Sequence, residues 1–351
     1  VGSGRHEGLS RSKRMKLLRK EVEAFRDHPA LLSWYISDEP VGQGVPPDSL
    51  VKAYALIKEL DPYHPVSVVF MTPSMAEEYS HVMDIVMADP YPIPHGSVEE
   101  VGETAAMLHK TFFLKKPVWI VPQAFGGNEW WKREPTRQEM RAMTYLSLVN
   151  GAMGIQYFIR HGLNAFPKST VAWNECGSMA LEFAEIVPYL FSEEERPAVS
   201  SSEQNVQLKA YAYDGAVLVV AVNKGRKPVS FSFTLEEIPY RGSAGVLFED
   251  RNVAVVDGKV EDLIDTYGTR LYEIRLKTPS SSGPKVHPKN IFDDESFEDD
   301  TGLGIPASCY ASPGGDKGAT YFTDTRTTAR GERSLRMTTP SEGQGMRLSF
   351  Y

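Results

Sequence analysis

Residues 31–40, LLSWYISDEP, hold a short apolar run that stops abruptly at two acids and a proline. The run is too short for a core helix and too continuously apolar for a strand with one wet face. It reads as a buried strand whose C-terminal end opens into polar groups. The pattern recurs at PVSVVF (65–70), VMDIVMA (82–88), PVWIVP (117–122) and GIQYFI (154–159). Stretches with helical spacing lie between these runs or after them, at 49–60, 97–113, 136–151 and 177–191, and another helix precedes the first strand. Such alternation means a doubly wound parallel sheet or a (β/α)8 barrel. The barrel is favoured, because no glycine-rich first turn is present. Polar and aromatic residues instead collect just past the strands, as DEP (38–40), DPYP (89–92), QAFGG (123–127) and RHG (160–162). Barrel enzymes keep their chemistry at those strand ends. A full barrel takes about 250 residues, so the five runs read as strands four to eight of an α/β TIM barrel.

The chain has 351 residues, 41% hydrophobic and 24% charged, which suits two or three ordinary domains. A net charge of -8 argues against nucleic acid or an anionic membrane as partner. No apolar run approaches the roughly 20 residues that span a bilayer. Cys176 and Cys309 are too few for a disulfide framework, and no CxxC, HExxH or phosphate-binding glycine loop is present, so no metal or cofactor is expected. The sequence begins with Val1 and ends on a strand pattern that breaks off, which reads as a piece of a longer protein.

Beyond residue 192 the pattern changes. Residues 200–277 alternate apolar and polar positions between tight turns, as an antiparallel β-sandwich does. Residues 278–289, TPSSSGPKVHPK, have linker composition, and 290–351 read as the opening of a further β domain.

HPALLSWYISDEP (28–40) resembles the fourth-strand motif of (β/α)8 glycoside hydrolases, in which a strand-end Asn-Glu-Pro or Asp-Glu-Pro supplies the acid/base glutamate. KKPVWIVPQAFGG (115–127) and MTYLSLVNGAMGIQYFI (143–159) are similar to strands seven and eight of such enzymes. Residues 200–277 resemble the β-sandwich that often follows these barrels, and NIFDDESFED with GERSLRM is similar to the first strands of a jelly-roll carbohydrate-binding module. The resemblance implies an O-glycosyl hydrolase with an oligo- or polysaccharide as substrate. It also implies a secreted protein, because polysaccharides lie mostly outside cells.

Glycoside cleavage needs one carboxylic acid to protonate the leaving oxygen and a second carboxylate on the opposite face of the sugar. Glu39, among apolar neighbours, is the expected acid. The family's glutamate nucleophile on strand seven is replaced by Gln123, a neutral group. Alternation with Trp119 and Val121 aims Gln123 into the site as a hydrogen-bonding residue. Asp89 is the best second carboxylate, with Asp38 and Glu129 behind it, unless a strand outside this sequence supplies one. The adjacent Asp38–Glu39 pair also suits hexosaminidase-like cleavage, in which the substrate's acetamide attacks and Asp38 orients it. Tyr91, Phe125, Trp130, Trp131, Arg160, His161 and Trp173 are candidates for stacking on or bonding to sugar, and GGNEWWKREP (126–135) reads as a glycine-hinged lid. The alternative is an inactive barrel that binds glycans or serves as a scaffold.

Overall fold

The computed structural model describes residues 8–127, 130–159 and 170–276, with the backbone of four short strands beyond them. The chain divides into two compact units, Val1–Ser281 and Ser282–Tyr351.

The first unit opens with helix α1 (Arg11–Phe25), where the Ser10 hydroxyl accepts from the Lys13 N–H as an N-cap. Five strands then form one parallel sheet: β1 (Trp34–Asp38), β2 (Val66–Phe70), β3 (Ile85–Ala88), β4 (Val118–Ile120) and β5 (Gly154–Ile155). Their connections carry α2 (Pro47–Leu60), a 3-10 helix (Pro73–Val82), α3 (Glu99–Phe112) and α4 (Arg137–Val149), and α5 (Thr170–Leu190) follows β5. Along the sheet the order is β1-β2-β3-β4-β5. A doubly wound sheet reverses its strand order at a switch point; this one does not.

The two faces of the sheet differ. Val66, Val68 and Phe70 of β2 and Val86 and Ala88 of β3 enter the main core with Ile57, Leu108 and Leu146 from the helices. Their alternates Val69, Ile85 and Met87 join Val121 in a separate small cluster, with Trp119 packed against it. Sequential strands with their helices packed on one face form an arc of a barrel, and the small cluster is what such an arc turns inward.

Next come β6 (Val199–Ser201), β7 (Val206–Tyr213), β8 (Ala216–Asn223), β9 (Val229–Leu235), β10 (Gly242–Val246), β11 (Arg251–Val256), β12 (Lys259–Ile264) and β13 (Thr269–Arg275). They form one antiparallel sheet in the order β6-β9-β12-β11-β10-β13-β8-β7. Its edge strands β6 and β7 approach each other, so the sheet is nearly closed around Phe231, Phe233, Val260 and Tyr272. Every residue of β8 is buried. Leu218, Val220 and Val222 belong to the main core, whereas Val217, Val219 and Ala221 belong to the core of the antiparallel sheet. Arg141 on α4 adds a polar tie, pairing with Glu175 and Glu182 of α5 and donating to Thr269 at the start of β13.

In the second unit β14 (Cys309–Ala311) pairs with β17 (Leu348–Phe350), and β15 (Thr320–Asp324) pairs with β16 (Ser334–Thr338), both antiparallel. The expected linker at 278–289 and the rest of the expected carbohydrate-binding module lie outside the described residues.

Candidate functional site

At the end of β1 the pairing register slips between Tyr35 and Ser37. A bulge of this kind re-aims the residues that follow it. The Glu39 N–H still donates to the Val69 carbonyl at 3.1 Å, but Glu39 itself sits at φ +44°, immediately before Pro40. A non-glycine residue in the left-handed region costs energy and is held only where its surroundings demand it, often at a working site. Asp38 is fixed from two sides: the Tyr35 hydroxyl donates to its Oδ1, and Gln43 Nε2 donates to its carbonyl at 2.7 Å.

Asp89 follows β3 directly and is 7% exposed. Burial is the main force on its carboxyl, and the neighbouring Glu39 adds to it, so its pKa is pushed up to about 8. Two carboxylates are both acceptors, so the hydrogen bonding between Asp89 and Glu39 requires a proton between them. Tyr91 opposes the rise through its own hydrogen bonding. Among the described residues Asp89 Oδ1 has no hydrogen-bond partner, which also favours the neutral acid. Asp61 and Asp84, near the other end of the sheet, behave oppositely. Burial raises each, but donors more than offset it: Trp34 and His64 at Asp61, and the Val66 N–H, Tyr54 and Lys58 at Asp84. Those two carboxylates are held charged; Asp89 is held protonated.

Glu39 and Asp89 line two adjoining hollows. One, of about 390 Å³, is bounded by Tyr35, Asp38, Phe125, Gln156 and Phe158. The other, of about 440 Å³, is bounded by Met71, Pro73, Glu100 and Thr104. Tyr91 and Trp131 border both. Four rings form a connected wall: Tyr91 meets Phe125 edge-on at 5.0 Å, Phe125 meets Trp131 at 5.1 Å, and Phe158 stacks near Tyr91 at 6.0 Å. Tyr35, Gln156 and Phe158 are additions to the residues expected from sequence.

Gln123 is placed differently from the expectation. It is fully buried; its Oε1 accepts from the Ile93 N–H, and its Nε2 donates to the carbonyls of Ile93 and Phe125. β4 stops at Ile120 and pairing resumes only at an isolated bridge between Gln123 and Phe158, so the alternation of β4 does not carry through to position 123. Its amide is committed to main chain, holding the turn behind Tyr91 rather than facing the cleft.

The expected lid is pinned. A Cβ on Gly126 would overlap the main chain of Arg133, and the Gly127 N–H donates to the Trp131 carbonyl at 2.7 Å. Arg133 pairs with both oxygens of Glu139, which completes a capping box with Thr136 at the start of α4. Trp131 donates from Nε1 to the Tyr91 carbonyl at 3.2 Å. Trp130 is 69% exposed, with its ring near His95, and Trp173 is exposed on α5; neither borders the two hollows. Arg160, His161 and Glu129 lie outside the described residues. Among the described residues no His/Cys/Asp/Glu group could hold a metal, and no helix is long and apolar enough to cross a membrane.

No protein family and no curated protein matches the chain by sequence. Solved structures do match in fold. An alpha-amylase from Anoxybacillus superposes with a TM-score of 0.52 at 12% identity, over 77% of this chain and 64% of that one. An alpha-amylase from Geobacillus thermoleovorans, complexed with acarbose, gives 0.52 at 10% identity, over 76% and 65%. A maltogenic alpha-amylase from Thermotoga neapolitana gives 0.50 at 10% identity, over 76% and 67%. The chain therefore spans less than two thirds of the length of the first two. Its parallel arc followed by an antiparallel β region shares the fold of these solved structures.

Proposed function

We propose that the chain belongs to a glycoside hydrolase acting on an oligo- or polysaccharide, with Glu39 as its general acid/base. The observation that carries this reading is the Glu39–Asp89 pair. Burial and the neighbouring Glu39 push the Asp89 carboxyl toward its protonated form, at the strand ends of a barrel arc, beneath a wall of aromatic rings that suits the C–H faces of sugars. In this reading Glu39 gives the proton to the glycosidic oxygen as the bond to the sugar breaks, and Asp89 keeps Glu39 supplied. Asp89 then does not face Glu39 across the substrate. Carboxyls that flank a glycosidic bond stand roughly 5–9.5 Å apart with the sugar between them, whereas Glu39 acts directly on the Asp89 carboxyl and raises its pKa. Asp38, anchored by Tyr35 at the same cleft, is the carboxylate we assign to act from the other side, on water or on a substrate acetamide. Secretion follows from such a substrate and is proposed with it.

The test is Glu39→Gln in a protein that carries the whole barrel, assayed on aryl glycosides and oligosaccharides. Loss of one well-placed acid lowers kcat/KM about 10²–10⁴-fold. Activity should also decline as pH rises through about 8, where the pair loses its proton. A variant keeping more than about half of the wild-type rate would refute the assignment, since a positioned acid contributes far more than twofold.

A further inference from the structure

A further small hollow, walled mostly by apolar side chains but carrying three basic ones, lies away from the cleft. α3 ends before β4 and α4 ends before β5, so the residues there sit at the opposite end of the sheet from Glu39. His109 of α3, Arg196 and Lys209 of β7 line this hollow, of about 110 Å³, together with Leu148, Met153 and Tyr211. Arg196 lies over the Tyr211 ring at 5.1 Å. Among the described residues neither Arg196 nor Lys209 pairs with a carboxylate, although Arg196 follows the acidic run Glu193–Glu195. Glu194 accepts instead from the Asp214 N–H at 2.9 Å.

Three cationic or protonatable groups thus converge in a chain of net charge -8. Burial and then the charges of Lys209 and Arg196 hold His109 below its ordinary pKa, and burial and then Arg196 do the same to Lys209. Mutual repulsion of this kind is relieved by an anion. The hollow has room for several waters and so for a five-atom ion.

We propose that Lys209, Arg196 and His109 bind a tetrahedral oxyanion, a phosphate or sulfate group, at the end of the sheet opposite the Glu39 cleft. The anion is either free in solution or carried as an ester on a sugar.

The test uses thermal unfolding of the whole chain in sodium sulfate or phosphate, against sodium chloride at matched ionic strength. Sulfate also stabilises proteins non-specifically, so the decisive comparison is between variants. In the wild type Tm rises with sulfate and follows a binding isotherm. Lys209→Met and Arg196→Met each weaken the apparent affinity roughly 10–100-fold, the loss of one charge-assisted contact. Lys209→Arg retains it, and Glu39→Gln leaves it unchanged, which separates this site from the glycosidase reading. Glucose 6-phosphate or 6-sulfate binding more tightly than the free ion assigns the site to an ester; equal or weaker binding assigns it to the ion. Equal Tm in sulfate and chloride, or methionine variants that respond as the wild type does, would overturn the proposal. Should Lys209→Met fail to fold, Arg196→Met, at an exposed side chain, decides alone.

Discussion

Replacing Asp89 by Asn tests the central electrostatic claim without needing a substrate. The carboxyl's midpoint moves from an ordinary 3.8 to about 8 on folding. Below pH about 4 both folded and unfolded chains hold this proton, and above about 8 neither does. Between those limits only the folded chain holds it, so raising the pH favours unfolding by up to about 1.4 kcal/mol per pH unit. The whole interval corresponds to a ceiling of about 6 kcal/mol, reduced by whatever the site relaxes. Asparagine keeps the shape and has no charge to acquire. The stability of Asp89→Asn relative to wild type should therefore improve steadily with pH, by as much as about 4 kcal/mol from pH 5 to pH 8. Urea unfolding of both proteins at pH 5, 6.5 and 8, at constant ionic strength, measures this difference directly. Two pH profiles parallel to within about 0.5 kcal/mol would refute a proton held at Asp89, since the linkage slope would then be missing.

Three further outcomes are expected. Gln123→Leu leaves the Ile93 N–H and the Ile93 and Phe125 carbonyls without their partner; at about 1–3 kcal/mol per buried unpaired group, Tm should fall sharply, whereas a sugar-binding residue would change KM with Tm unmoved. Gly126→Ala forces the loop away from the Arg133 main chain, and the Trp131 environment should change in tryptophan fluorescence with a loss of about 1–3 kcal/mol. Arg141→Met leaves Glu182 with only the Tyr145 hydroxyl and Glu175 with only Arg137, both carboxylates being buried or nearly so; removing one partner of such a network costs up to about 3–5 kcal/mol, readable as a lower urea midpoint.

The parallel strands were legible because their apolar runs stand clear of the helical spacing around them, and Glu39 and Asp89 were legible as acids placed where those runs stop. What escaped the sequence depended on where a strand really ends. GIQYFI reads as one strand over 154–159, yet β5 is regular only over Gly154–Ile155 and pairs again beyond it at an isolated bridge between Phe158 and Gln123. That break in the strand leaves the Phe158 ring on the cleft wall while its main chain stays bridged to Gln123. The same error, in reverse, aimed Gln123 into the cleft by carrying the alternation of β4 past its last residue. Tyr35 was hidden by the bulge in β1, which no residue type announces. The glycine pair at 126–127 signals a bend equally well whether the loop swings or is clamped. Only the closeness of the Arg133 main chain separates the two.

The strand with no exposed residue, β8, has a consequence for how this molecule comes apart. Its two faces serve two different cores, so neither core can be lost while the other stays whole. A cut near residue 195 would strip α4 and α5 of the apolar surface they rest on, and would leave Leu218, Val220 and Val222 bare on the piece released. The antiparallel region is thus no detachable appendage but a keystone. Residues 8–276 should melt as one cooperative block, and any recombination of this protein with another barrel has to carry β8 across together with the helices it supports.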